Sequence, residues 1–160
     1  INRYMATLTT NKNFLSPVGF QFKINSSKYA NLEYFCVKAA MPGLSLPAVD
    51  QSYRGVNLAF TGDRLQFEDL TLTVNVTENL ENYKETFDWM HNMVNQGTAE
   101  GFKEDAILLI LSSHNNVNKE IKFKDVFPTA ITGVDFDSQS TDVEMVQIDI
   151  TFAYTSFEFV

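Results

Sequence analysis

Residues 70–77 read LTLTVNVT, with Leu70, Leu72, Val74 and Val76 on one side and Thr71, Thr73, Asn75 and Thr77 on the other. A period of two is the mark of an extended strand with one face against a core. The other face is polar, threonine-rich and uncharged, so it suits solvent or a neighbouring protein surface. One such strand cannot bury its apolar face alone, so it demands a sheet and a second layer to cover it.

The rest of the chain supplies that sheet. Val18, Phe20, Phe22 and Ile24 alternate with Gly19, Gln21 and Lys23, and Asn25-Ser26-Ser27 reads as a turn. EYFCVKAAM (33–41) reads as a second strand stopped by Pro42-Gly43, and AILLILSS (106–113) as a strand buried on both faces. KEIKFKDV (119–126) alternates again, with Ile121 and Phe123 inward. VEMVQIDITFAY (143–154) puts Val146, Ile148, Ile150, Phe152 and Tyr154 on one face, and the parity then slips to Phe157 and Phe159 through a bulge or bend near Thr155-Ser156. Residues 46–60 form a projecting β-hairpin with a polar tip at 51–54. Residues 79–95 form the one helix, capped by Asn79, with Leu80, Tyr83, Phe87, Met90 and Val94 as its apolar stripe and Trp89 and Met93 widening it. The expectation is a single domain over 1–160, with an N-terminal arm over 1–16. It is mainly β, with about eight mostly antiparallel strands and one helix.

Composition narrows the partners. The chain is 44% hydrophobic with fourteen Phe, enough for a real core. It carries 20 acids against 12 Lys and Arg, for a net charge of −8, which argues against a dedicated nucleic-acid binder and against docking on anionic membranes. No apolar run reaches the length of a spanning helix. Cys36 is the one cysteine, so an intrachain disulfide framework is excluded.

Catalytic chemistry is not visible. The sequence has no phosphate-binding glycine loop, no HExxH and no GxSxG. His91 and His114 are isolated. Asp135, Asp137 and Asp142 lack the central Gly and bidentate Glu of a calcium loop and read as a solvated turn. No catalytic residue, cofactor site or metal site is expected.

Four segments in order carry a resemblance. They are FQFKI with MPGLSLP, the hairpin leading into FTGDRLQFEDLTLTV, the helix with FDWM at 87–90, and KEIKFKDVFPTAITGVDFD before a last strand ending FAYTSFEF. Over roughly 14–160 the chain resembles the tail tube proteins of contractile-tailed, T-even-type bacteriophages. It is similar to the inner tubes of type VI secretion and extracellular contractile injection systems.

The resemblance implies two packed antiparallel sheets, sandwich- or barrel-like, flanked by one α-helix. It implies hexameric rings stacked into a hollow tube within the virion, assembled in the host bacterial cytoplasm and driven forward by sheath contraction. The partners it implies are further copies, a tail sheath protein, baseplate or tube-initiator proteins, and genomic DNA passing through without specific binding; no stable membrane association is expected. A tube initiator or baseplate hub of the same fold is one alternative, and a monomeric β-sandwich binding module is another. In this reading Asp50, Gln51, Ser52, Tyr53, Arg54, Gly55, Asp63 and Arg64 are ring-stacking candidates. Glu68, Asp69 and Asp149 are lumen-facing acids. Trp89 is structural, and Phe127-Pro128 ends one strand and turns the chain towards the last.

Overall fold

The computed structural model describes residues 9–25, 27–97, 99–142 and 144–160. Part of the expected arm, Ser26 of the expected turn and Val143 of the expected last strand lie outside the described residues. Among the described residues eleven strands are formed: β1 (Phe20–Ile24), β2 (Cys36–Ala40), β3 (Leu44–Ser45), β4 (Ala48–Tyr53), β5 (Val56–Thr61), β6 (Gln66–Phe67), β7 (Leu70–Asn75), β8 (Glu104–Leu111), β9 (Val117–Ile131), β10 (Gln147–Ala153) and β11 (Ser156–Phe159). Two α-helices accompany them, α1 (Ala30–Tyr34) and α2 (Glu81–Asn95).

All strand pairs are antiparallel, and the order β1-β8-β9-β10-β7-β2, with β11 beside β9, describes two layers that share one strand. Residues 117–126 of β9 sit between β8 and β11 in sheet one, and residues 127–131 pair with β10 in sheet two. One core lies between the layers. Phe22, Ile24, Ala106, Leu108, Ile121 and Phe123 come from sheet one, and Leu70, Leu72, Val74, Ile148, Ile150 and Phe152 from sheet two. Each fully buried Leu, Ile or Phe contributes about 1.5–3 kcal/mol. The neighbouring layers are not closed into a barrel.

Several expectations need correction. Phe127-Pro128 does not end a strand. The strand runs on to Ile131, and Pro128 itself pairs with Phe152. Pro is tolerated because the register shifts between Thr151 and Phe152, and because residues 127–131 have no second neighbouring strand among the described residues. The segment 33–41 is not one strand: α1 takes its first residues, because Leu32 is buried and the Glu85 carboxylate accepts from Asn31 Nδ2 at 2.7 Å and Leu32 N at 3.3 Å. Val18 is 84% exposed, so β1 starts at Phe20. In β8, only Ala106, Leu108 and Leu109 are fully buried.

The helix α2 exists but faces another way. Its buried residues are Asn82, Thr86 and Trp89, spaced four and three apart, whereas Phe87 is 52% and Val94 81% exposed. Trp89 decides the orientation. Its ring stacks on Tyr29 at 4.1 Å, lies 5.9 Å from Phe152, and its Nε1 donates to the Phe102 carbonyl at 2.7 Å. Asn82 is buried but satisfied: Nδ2 donates to the Asn75 carbonyl, and Oδ1 accepts from Thr77 N and Tyr83 N. The helix start is held by Thr77, whose hydroxyl accepts from Glu81 N at 3.0 Å, and not by Asn79.

Candidate assembly surfaces

The outer face of sheet two follows from its register. Thr73 stands opposite Asp149 on β10 and Lys38 on β2, while Thr71 stands opposite Thr151 and Ala40. The Thr73 hydroxyl donates to Asp149 Oδ1 at 2.6 Å, and Asp149 N donates to Thr132 Oγ1 at 2.9 Å. Nearby, Gln147 Nε2 donates to Asn75 Oδ1 at 3.1 Å. The result is a wall of hydroxyls and amides in which Asp149 and Lys38 nearly balance. The alternation that fills the core with Leu72, Val74, Ile148 and Ile150 puts these polar groups outside.

The two edges of sheet two are bare. Among the described residues β2 pairs with β7 alone, and residues 127–131 of β9 pair with β10 alone. Unpaired strand edges present rows of N–H and C=O groups ready for another chain.

The hairpin is the third surface. Among the described residues β4 and β5 pair with each other and with no other strand, and all twelve of their residues are exposed. Arg54 (φ 48) and Gly55 (φ 80) make a two-residue turn with both residues left-handed, the geometry that matches strand twist. The pairs Val49↔Phe60, Gln51↔Leu58 and Tyr53↔Val56 put five hydrophobic side chains on one face, each 43% to 61% exposed. Asp50 and Ser52 lie on the opposite, polar face, where the Ser52 hydroxyl donates to Asn57 Oδ1 at 3.0 Å. The hairpin was legible in the sequence, but its apolar face was missed, although the alternation from Val56 to Phe60 carries it.

The root of the hairpin is fastened to the body. Asp63 and Arg64 lie there, beside Gly62, where an added Cβ would stand 2.1 Å from the Pro47 carbonyl oxygen. Glu68 turns back to the chain: its carboxylate accepts from Gly43 N at 3.2 Å, and its carbonyl accepts the Tyr154 hydroxyl at 2.6 Å. Burial pushes the Tyr154 hydroxyl up to about 12, with Asp69 and Glu68 adding to the shift. Tyr154 also packs with Phe67, Phe123 and Phe157 at ring separations of 5.1–6.2 Å. Sheet two therefore brings together Asp149 and the threonines, while Glu68 belongs to the root and Asp69 stands just before β7. Phe127 lies near Lys103, whose Nζ is 6.0 Å from the ring centroid.

A fourth surface is the outer side of α2, where Leu80, Phe87 and Val94 are exposed at seven-residue spacing. Among the described residues no group of three or more His, Cys, Asp or Glu is arranged to hold a metal ion, and no helix is long and apolar enough to cross a membrane.

The sequence pattern of the family T4-like virus tail tube protein gp19 matches residues 55–157, well over half of the chain. No curated protein matches the chain in sequence. Many solved structures share the fold, and three illustrate it. A chain of the cryo-EM structure of the anti-feeding prophage (AFP) tube terminating cap superposes with TM-score 0.71 at 15% identity, covering 99% of this chain and 98% of that one. A chain of an extracellular contractile injection system, the PVC sheath-tube complex in the extended state, gives 0.69 at 15% identity, covering 96% and 99%. A crystal structure of an Hcp protein gives 0.54 at 10% identity, covering 88% and 91%. At such identities the likeness is one of fold.

Proposed function

We infer the function from kinship, since the chain belongs to the T4-like virus tail tube protein family and is a structural subunit of a tail tube. We propose that six copies close into a ring, with β2 of each copy pairing with residues 127–131 of the next. The observation that supports this is the pair of bare edges on opposite sides of sheet two. Ring closure would turn each four-stranded sheet β9-β10-β7-β2 into one segment of a barrel with no edges left.

The polar face carrying Thr71, Thr73 and Asp149 would line the lumen. Trp89 of α2 packs against Phe152 on the core side of the same sheet, so the Leu80, Phe87 and Val94 stripe faces away from that wall. In a ring the stripe is on the outside, where a tail sheath protein would lie. The hairpin would continue the tube axially onto another ring, and a baseplate or initiator protein would supply the first ring. Genomic DNA would pass through the polar lumen without being held, and the subunit would assemble in the host bacterial cytoplasm before residing in the virion. This role involves no catalytic step and no cofactor.

A terminal or initiating ring of the same fold is the nearest other reading, and the likeness to the AFP tube terminating cap favours it. Negative-stain microscopy of concentrated protein, with and without a baseplate seed, tests the proposal. Stacked rings with six-fold end views are expected. A chain that stays monomeric in both conditions overturns it and favours a β-sandwich binding module.

A further inference from the structure

The hairpin and the 132–146 loop lie at opposite ends of sheet two. Leu70 pairs with Phe152 at one end of β7, and Asn75 pairs with Gln147 at the other. The hairpin leaves the sheet between Ala40, opposite Thr71, and Leu70. The loop leaves β9 at Ile131, level with Leu72, and enters β10 at Gln147, at the far end. At about 3.4 Å per residue the two roots are roughly 17 Å apart along the strands.

The two ends are complementary. The hairpin presents an apolar face, and its tip carries Arg54, whose guanidinium lies 5.4 Å from the Tyr53 ring centroid and forms no ion pair among the described residues. The loop forms a concavity of about 460 Å³ walled by Asp135, Asp137, Asp142 and Glu144, with Phe136 and Val146 as apolar lining. Phe136 is 83% exposed, and no Lys or Arg occurs after Lys124 in the chain. A chain with an apolar projection tipped by one cation at one end, its Asp50 lying on the other face, and an apolar, anionic hollow at the other end is complementary to itself head to tail. Such a heterologous contact, made between opposite ends of the chain, propagates along an axis when its rotation does not close into a ring.

We propose that the acceptor of the hairpin is the Asp135, Phe136, Asp137 and Asp142 concavity of a second copy, with Tyr53 against Phe136 and Arg54 among the carboxylates. This deepens the tube reading by naming both halves of the contact between rings. The sign of charge fixes polarity: two hairpin tips or two acidic hollows would repel, so copies can stack in one direction only.

Charge reversal and cross-linking test it. Arg54→Glu and Asp137→Arg should each lower the fraction of chain in assemblies by about tenfold or more, since like charges at an interface cost several kcal/mol. The double variant Arg54→Glu/Asp137→Arg should recover most of the loss. In a Cys36→Ser background, Tyr53→Cys mixed with Phe136→Cys should give a disulfide between copies, with circular dichroism checking that each chain is folded. Tubes that form normally from both single variants and give no 53–136 cross-link overturn the contact while leaving the tube reading intact. A chain that forms no tubes but still gives the cross-link overturns the tube reading and leaves the contact standing. Absence of both overturns both.

Discussion

The Thr155 hydroxyl donates to Asp125 Oδ2 at 3.2 Å, and these two residues mark the corner at which both long strands change sheets. Thr155 N donates to the Lys124 carbonyl at 3.0 Å, and Asp125 adopts φ 55, a left-handed conformation inside a strand. That kink lets β9 serve sheet one before it and sheet two after it, while the break between β10 and β11 does the same for the last strand. The two sheets therefore face each other over one core because two neighbouring residues turn together.

The corner should be sensitive to backbone more than to charge. Asp125→Gly keeps access to positive φ and should cost only the lost Thr155 hydrogen bond, about 0.5–1.5 kcal/mol, whereas Asp125→Val adds strain of about 1–3 kcal/mol to that loss. Thr155→Val should cost about 0.5–1.5 kcal/mol through the lost hydrogen bond. Urea unfolding of the three variants measures this, and equal losses for the Gly and Val variants would remove the conformational role of Asp125.

Helix orientation gives a second contrast. Trp89→Ala should destabilise by about 3–5 kcal/mol, because it removes a fully buried ring and orphans the Phe102 carbonyl. Val94→Ala should lie within about 0.5 kcal/mol of the parent chain, as a surface change does. The apolar stripe visible in the sequence predicts the reverse weighting for Val94, so the pair of unfolding curves separates the two faces.

That helix shows where sequence and structure part. The alternation of residues 70–77 was legible because a strand with one buried face leaves an unambiguous period of two. In α2 the inward positions Asn82 and Thr86 are polar and paired with Asn75, Thr77 and helix carbonyls, so of the hydrophobic stripe Tyr83 packs on the core while Leu80, Phe87 and Val94 stand exposed. Pro128 misled for a related reason: a proline stops a ladder only where its missing N–H is needed, and here the strand is an edge beside a register shift. The bend after β10 was legible from the parity slip towards Phe157. The apolar face of the hairpin went unread although the alternation from Val56 to Phe60 carries it, whereas the 132–146 loop offers no periodicity, and its relation to the hairpin exists only through strand register.

Gly62 is the third prediction. A Cβ there would meet the Pro47 carbonyl oxygen at 2.1 Å, so Gly62→Ala must pry the hairpin root apart. Gly133, with no atom within 4 Å of its would-be Cβ, should accept Ala without effect. The hairpin contributes nothing to the core, so the midpoint of global unfolding should change little in Gly62→Ala. Hydrogen exchange in β4 and β5 should rise, and assembly should fall. Unchanged exchange in the hairpin would count against this account of its root.

Alkaline pH gives the fourth. Burial, followed by Glu104 and Glu85, pushes the Tyr29 hydroxyl from 10.0 up to about 12, and burial pushes the Cys36 thiol from 9.0 up to about 11. Tyr154 is raised to about 12 as well. In each case the folded state favours the neutral form, so the unfolded chain loses its proton first as pH rises. This stabilisation is fully present below about pH 9 and is lost progressively between pH 9 and 12. A thermal midpoint followed from pH 8 to 12 should fall, less steeply in Tyr29→Phe. Cys36 should alkylate slowly at pH 8 and faster towards pH 11; rapid labelling at pH 8 would contradict the shielding of its thiol.

The last prediction concerns Asp149. Across the polar face the row Lys38, Thr73 and Asp149 carries one charge of each sign, so the wall is close to neutral and rich in hydroxyls. Such a surface suits passage of a polyanion, because DNA binds by neutralising phosphates with cations and this wall offers few unbalanced ones. Asp149→Asn keeps an oxygen to accept from the Thr73 hydroxyl, so it should fold and assemble like the parent and leave only Lys38 charged. Asp149→Lys places two cations per copy on the same row and, in a ring, multiplies them around the lumen. Tubes of Asp149→Lys should retain double-stranded DNA at low salt and release it as salt rises, with Asp149→Asn intermediate and the parent retaining none. If Asp149→Lys tubes hold DNA no more than the parent does, Asp149 does not face the lumen, and the inward assignment of the threonine wall falls with it.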